Sequence, residues 1–319
     1  MTISTDAAAR RREWRPCWPC PVGEIWAHWR KGTGDPTYRL EAGRHWRGIR
    51  TPIGPATLAV RPLNGAGVIE AQAWGDGADW ALEQLPAMLG GDDDPAGFQP
   101  RHPELARALR EHPHWRLGRG GLVWQALLPA VIEQKVTGQE AFGGFRRLVH
   151  FFGERAPGPG ADMRLWVPPG PEAVRRIPSW EWLKLHVDPA RSRTLVHCAQ
   201  RADALERTLD VSSDEADRRL RSVPGIGIWT SAEVRFRAHG DADAVSFGDY
   251  HIHNEIGHAL LGHDLDDAAL AELLEPYRPY RHRVQALLGM RRWRERHGPR
   301  LAPRTHLPTA PRRRPVPRG

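Results

Sequence analysis

The stretch Val223-Pro224-Gly225-Ile226-Gly227-Ile228-Trp229-Thr230 decides the fold, and Asp249 stands 20 residues beyond its tryptophan. Two glycines flank one apolar residue between segments of helical texture. A tight turn of this kind can aim unpaired backbone N–H groups outward, at the start of a helix whose dipole favours an anion. That arrangement is a phosphate grip. The downstream carboxylate suits action on whatever the grip holds, although Asp is also a preferred N-cap for the helix that follows. Glycine-rich connections between helices are common, so the flanking chain has to support the assignment.

Working outward, Ser212-Ser213-Asp214-Glu215 has the pattern of a capping box that opens the helix leading into Pro224. Beyond the turn the periodicity predicts helices over 228–239, with Gly240 past the end, and over 249–261, with Gly262 past the end; 267–274 and 281–290 follow. Upstream, helices are predicted over 103–112, 121–137, 139–152 and, as one long amphipathic piece, 189–209. Leu127, Leu128, Val131 and Ile132, then Phe142, Phe145, Leu148 and Val149, lie on core-facing helical spacing. The N-terminal part differs. Short alternating runs at 24–29, 57–61 and 68–74 read as strands, a helical stretch covers 79–89, and the Gly/Asp-rich segment 90–97 reads as a linker. The expected class is α+β, a small antiparallel sheet domain with a helix followed by an all-helical domain. The expected bounds are a flexible leader at 1–20, the sheet domain and linker at 21–100, the helical domain at 101–295, and a disordered Arg/Pro-rich tail at 296–319.

Composition narrows the function classes. The 319 residues are 40% hydrophobic, enough for a substantial core. No apolar run approaches the roughly 18 residues of a membrane span, and the polar, Arg-rich start lacks the apolar segment of a secretory signal. A cytoplasmic protein with no membrane partner is expected. The net charge is +8, but the ten arginines from Arg291 onward, set against Glu295, account for +9 of it. Bulk charge therefore does not argue for nucleic acid; local donors must. Cys17, Cys20 and Cys198 cannot build a disulfide framework, and the Cys17-Trp18-Pro19-Cys20 spacing lacks two further zinc ligands. His251, His253, His258 and His263 invite a metal reading, but His251 and His253 are two apart on a predicted helix and face different ways. No side-chain metal site is expected.

The hairpin 223–230, the Gly248-Asp249-Tyr250 segment and the run Ile132-Glu133-Gln134-Lys135-Val136-Thr137-Gly138 together resemble the helix-hairpin-helix DNA glycosylases, specifically the 3-methyladenine DNA glycosylase II branch. The resemblance spans most of 121–290, and the family's N-terminal sheet domain fits the strand pattern before residue 100. It implies a monomer that excises damaged bases from double-stranded DNA in base excision repair, with Asp249 as the catalytic aspartate. Lyase-competent members carry a nucleophilic lysine where this chain has Trp229, so the resemblance implies base excision without strand cutting. Trp229 and Tyr250 become candidates for the base pocket. Glu233, one turn on, departs from the aromatic of that branch and leaves the choice among alkylated, oxidised and deaminated bases open. Val223, Gly225, Ile226, Gly227 and Thr230 would face DNA, Gln134 would contact the opposite strand, and Lys135 would enter the gap left by the flipped base. A monovalent cation, Na⁺ or K⁺, at the carbonyls of Val223 and Ile226 is also implied. The four-cysteine iron–sulfur cluster of some relatives is not, because no cysteine follows Cys198. The rival from another class is a non-catalytic protein that uses the hairpin only as a phosphate clamp.

Overall fold

Strands β4 (Pro55–Leu63) and β5 (Val68–Trp74) pair antiparallel, Val60 opposite Ala71; β4 is buried on both faces from Ala56 to Val60, and β5 leaves only Glu70 and Gln72 partly exposed. The computed structural model describes residues 9–291 and Ala302. Strand β3 (Arg44–Arg50) pairs with β4, and β2 (Tyr38–Glu41) with β3. The fifth strand was not expected. Arg10–Trp14, inside the presumed leader, forms β1 against β5 and gives the order β1-β5-β4-β3-β2. Its sequence Arg-Arg-Arg-Glu-Trp lacks apolar alternation because it is an edge strand, where charge guards an open row of backbone groups. The tail at 296–319, apart from Ala302, lies outside the described residues, as do residues 1–8.

The run 24–29 is helical, not a strand: Val22–Ile25 is a short α-helix and Ala27–Trp29 a turn of 3₁₀ helix. Val22, Ile25, Trp26 and Trp29 all face inward, and their spacing is the i, i+3, i+4, i+7 of one helix face. Two further expectations change. The helix predicted over 189–209 ends at Gln200 and resumes as Ala202–Glu206, and this break lets the Glu206 carboxylate accept the N–H groups of Val123 and Trp124 at 2.9 and 2.7 Å. The segment 90–97 is docked and does not act as a loose linker. Arg283, 2% exposed, donates to both Asp93 oxygens at 2.6 Å, and Asp93 also takes the N–H of Leu117 at 2.9 Å. A guanidinium this deeply buried needs a carboxylate, and the glycine-flanked aspartates supply it.

One cluster of buried residues runs from Ile49 and Leu58 in the sheet through Leu127 and Val131 to Val284. The sheet and the helices therefore share a core. Helix Val123–Ile132 is apolar apart from Gln125 because it passes through that core, and Gly138–Phe152 follows it after a short turn. Among the described residues no helix is long and apolar enough to cross a membrane.

Candidate active site

The hairpin joins helix Ser213–Arg221 to helix Ile228–Val234. Val223 and Ile226 turn their side chains into the core, at 2% and 6% exposure, so only their backbones are available to a ligand. The Ile226 N–H closes the turn on the Val223 carbonyl at 3.0 Å. Gly225 is compelled twice: its φ is +91°, and a Cβ there would meet Thr194 Oγ1 at 2.0 Å. Gly227 is compelled by neither; its φ is −96°, and a Cβ would meet no protein atom within 4 Å. It stands at the head of Ile228–Val234, where the first-turn N–H groups have no partner within the helix. The carbonyls of Val223 and Ile226 are hard oxygen donors, of the kind that suits Na⁺ or K⁺. The Val223 oxygen keeps one lone pair beyond its turn hydrogen bond, so the donors present fit such an ion.

Asp249 is half-buried between two helices. Its Oδ1 accepts the N–H groups of His251 and Ile252 at 2.8 and 3.2 Å, and its Oδ2 accepts Trp229 Nε1–H at 3.1 Å. The helix it caps starts at Ile252, three residues later than the periodicity indicated. Asp241 and Asp243 differ in kind. Asp241 is paired with Arg235, and Asp243 with Arg278 and Arg281 at 3.0 and 2.7 Å. Among the described residues no cation pairs with Asp249; its partners are all neutral N–H donors, which hold the carboxylate in place without cancelling its charge. Tyr250, 42% exposed, stacks edge-on against His251 at 4.9 Å.

Glu233, one turn along helix Ile228–Val234 from Trp229, is 7% exposed. It accepts from Arg237 and from Ser246 Oγ, each at 2.5 Å, and Gln285 Nε2 reaches Ser246 at 3.2 Å. Burial pushes its pKa up, but Arg237, the Ser246 hydroxyl and Lys31 outweigh that and hold it below the usual carboxylate range. Glu233 is a compensated anion, not a free charge facing a base.

No family model matches the sequence, and no curated protein does. Solved structures do. A 3-methyladenine DNA glycosylase from Archaeoglobus fulgidus aligns with a TM-score of 0.75 at 17% identity, over 87% of this chain and 97% of that one. An 8-oxoguanine glycosylase/lyase from Clostridium acetobutylicum, in complex with double-stranded DNA, aligns at 0.68 and 11% identity over 88% and 96%. MBOgg1 in complex with a low-affinity DNA ligand aligns at 0.69 and 13% identity over 87% and 93%. The chain has the fold of the helix-hairpin-helix DNA glycosylases. Coverage near nine-tenths includes the sheet, so the N-terminal strands are part of the glycosylase fold. Identities this low carry the fold and not the substrate.

Within the glycosylase fold, the turn between helices Val123–Ile132 and Gly138–Phe152 packs against the hairpin. Gln134 Nε2 donates to the Gly225 carbonyl at 3.0 Å and to Thr230 Oγ1 at 2.8 Å. Gln134 thus faces the hairpin, and the Thr230 hydroxyl, in a residue 2% exposed, is turned inward. Lys135 is exposed at the tip with a φ of +52°. Sequence reasoning missed Lys31, which sits far from the hairpin in the chain yet pairs with Glu133 at 2.7 Å. Burial lowers its pKa, against the pull of Glu133. The only signal was the scarcity of lysine, three in 319 residues.

Proposed function

We infer that the protein is a monofunctional DNA glycosylase that flips and excises alkylated purines, of the 3-methyladenine and 7-methylguanine type, by hydrolysis of the N-glycosidic bond. The observation that carries this is the Trp229–Asp249 hydrogen bond of 3.1 Å. An indole fills the position beside the carboxylate where a lyase would need an amine, and it can neither attack the sugar nor take a proton.

An N-alkylated purine is already cationic, so the C1′–N bond breaks with its electron pair leaving on a neutral base. The sugar left behind is oxocarbenium-like, water adds at C1′, and one proton is released. Asp249, with no cationic partner among the described residues, stabilises that positive charge and orients the water. The hairpin grips the phosphates through backbone N–H groups at Gly227 and the turn that follows. Val223 and Ile226 carbonyls would hold a monovalent cation whose charge attracts a phosphate. The glycosylase acts as a monomer on double-stranded DNA in base excision repair, with a sheet part that begins at strand β1, Arg10–Trp14, and a helical catalytic part after residue 100.

Mass spectrometry of bases released from methylated DNA tests the assignment. The protein should release 3-methyladenine and 7-methylguanine, and Asp249→Asn should lower the rate on the order of 10²- to 10³-fold while keeping affinity for DNA. Borohydride should trap no protein–DNA cross-link. Release of 8-oxoguanine from oxidised DNA, with nothing released from methylated DNA, would move the substrate class to oxidised bases; release of nothing from either, with Asp249→Asn unchanged in every assay, would leave only a phosphate clamp.

A further inference from the structure

Three consecutive residues before the exposed turn are each tied to a different part of the molecule. The carbonyl of Ile132 accepts Arg191 Nη1 at 2.6 Å from helix Pro189–Gln200, and Arg191 is itself 2% exposed and braced by Asp188 at 3.1 Å. The carboxylate of Glu133 pairs with Lys31, which reaches it from the segment leading into β2. The amide of Gln134 bridges the Gly225 carbonyl and the Thr230 hydroxyl across the hairpin. On the far side Thr137 and Glu140 form a reciprocal cap that fixes the start of the next helix.

Lys135 stands between these two anchorages in a left-handed backbone, φ +52°, a conformation that Ala42, Arg164 and His186 also take at turns. Gln134 also spends both of its hydrogen bonds on the element that grips phosphate, at the glycine whose φ shapes the grip and at the helix start beyond it.

We propose that Ile132, Glu133 and Gln134 form a rigid mount for Lys135, with Gln134 as the positioning residue that couples the hairpin's hold on the backbone to insertion of the lysine into the base stack. The proposal rests on the glycosylase assignment for its DNA partner. Once a phosphate is seated in the hairpin, the bridge fixes how far along the strand the Lys135 tip enters, so the grip and the probe act as one body.

The test measures unstacking separately from excision. The full chain is titrated onto a duplex with 2-aminopurine beside a tetrahydrofuran abasic-site analogue, and the fluorescence rise at saturation is read. Lys135→Ala should cut the rise at least threefold, Gln134→Ala should cut it comparably, and the double variant should lose no more than Lys135→Ala alone. Gln134→Glu keeps the size but turns a donor into an acceptor facing the Gly225 carbonyl, and should be at least as poor as Gln134→Ala. Saturation is confirmed for each variant by fluorescence anisotropy, so that weaker binding does not pass for a smaller rise. If Gln134→Ala cannot be folded, Thr230→Val removes one arm of the bridge and should lower the rise part-way. An intact rise in Gln134→Ala, additive losses in the double variant, or no effect of Lys135→Ala would each overturn the proposal. A wild-type protein that unstacks the probe yet releases no base from methylated DNA would defeat the glycosylase assignment and leave the mount standing.

Discussion

The indole N–H that meets Asp249 Oδ2 at 3.1 Å can only donate, and that limits what Trp229 does. The sequence offered it as a candidate for the base pocket, and the geometry adds that it is one of three donors that fix a carboxylate. Trp229→Phe separates these roles, since it keeps an aromatic ring and removes the donor. A hydrogen bond to a charged group contributes roughly 1.5–3 kcal/mol, so kcat for base excision should fall about 10- to 100-fold with KM little changed. A rise in KM with kcat intact would instead assign Trp229 to base binding. Asp249 and Trp229 were both legible as positions, because glycine, tryptophan and aspartate stood at a recognisable spacing; their contact was not, because a separation of 20 residues carries no distance. The ion pair of Glu233 did have a signal: Arg237 lies four residues on, the spacing at which a helix pairs opposite charges. The two bonds of Gln134, to partners 91 and 96 residues away, left no trace in the sequence.

At the level of elements, the hairpin contains two glycines that look alike in sequence and differ in what requires them. Gly225→Ala would place a methyl group against Thr194 at 2.0 Å on a backbone with φ +91°, and should lower stability on the order of 2–4 kcal/mol. Gly227→Ala meets nothing within 4 Å and has an ordinary φ, so it should change stability by no more than about 0.5 kcal/mol. Its effect should appear in DNA affinity, because the added methyl group occupies the space through which a phosphate would approach the helix start. Urea titration and fluorescence anisotropy on the two variants give the comparison. Gly227→Ala binding duplex as tightly as wild type would show that DNA does not approach there. The same distinction between internal and external requirements explains which elements could be read in advance. Strands β4 and β5 and the helices around the hairpin declare themselves through apolar periodicity directed at a core. Strand β1 is held by backbone pairing with β5 and has a charged surface, so periodicity has nothing to register. The turn of helix at 22–29 was obscured by length: four inward residues fit its spacing, but two short pieces give too few repeats to outweigh an alternating reading.

For the whole molecule, charges distant in sequence meet in the interior, and their pairing fixes the architecture that composition could only outline. The Asp93–Arg283 pair, 190 residues apart, docks the supposed linker, and Lys31–Glu133 ties the N-terminal segment to the mount of Lys135. Titration follows from the same burial. His282 is stacked on Phe236 at 4.2 Å, and its Nδ1–H donates to the Ala244 carbonyl at 3.0 Å; burial brings its pKa down to about 4, although Glu233 and Asp241 pull the other way. Burial likewise brings His239 to about 4. A histidine with a depressed folded pKa binds its proton more readily in the unfolded chain. Its contribution to stability is therefore complete above the unfolded value near 6.5 and is lost as the pH falls toward 4. Within that window each group should remove stability on the order of 1 kcal/mol per pH unit. Urea midpoints measured at pH 7, 6 and 5 should drop steadily for the wild type. His282→Phe keeps a ring against Phe236 and loses both the Ala244 hydrogen bond and the titration, so it should start less stable at pH 7 and then fall less steeply. The slope carries the test: two parallel curves would mean that His282 is not held neutral by its surroundings.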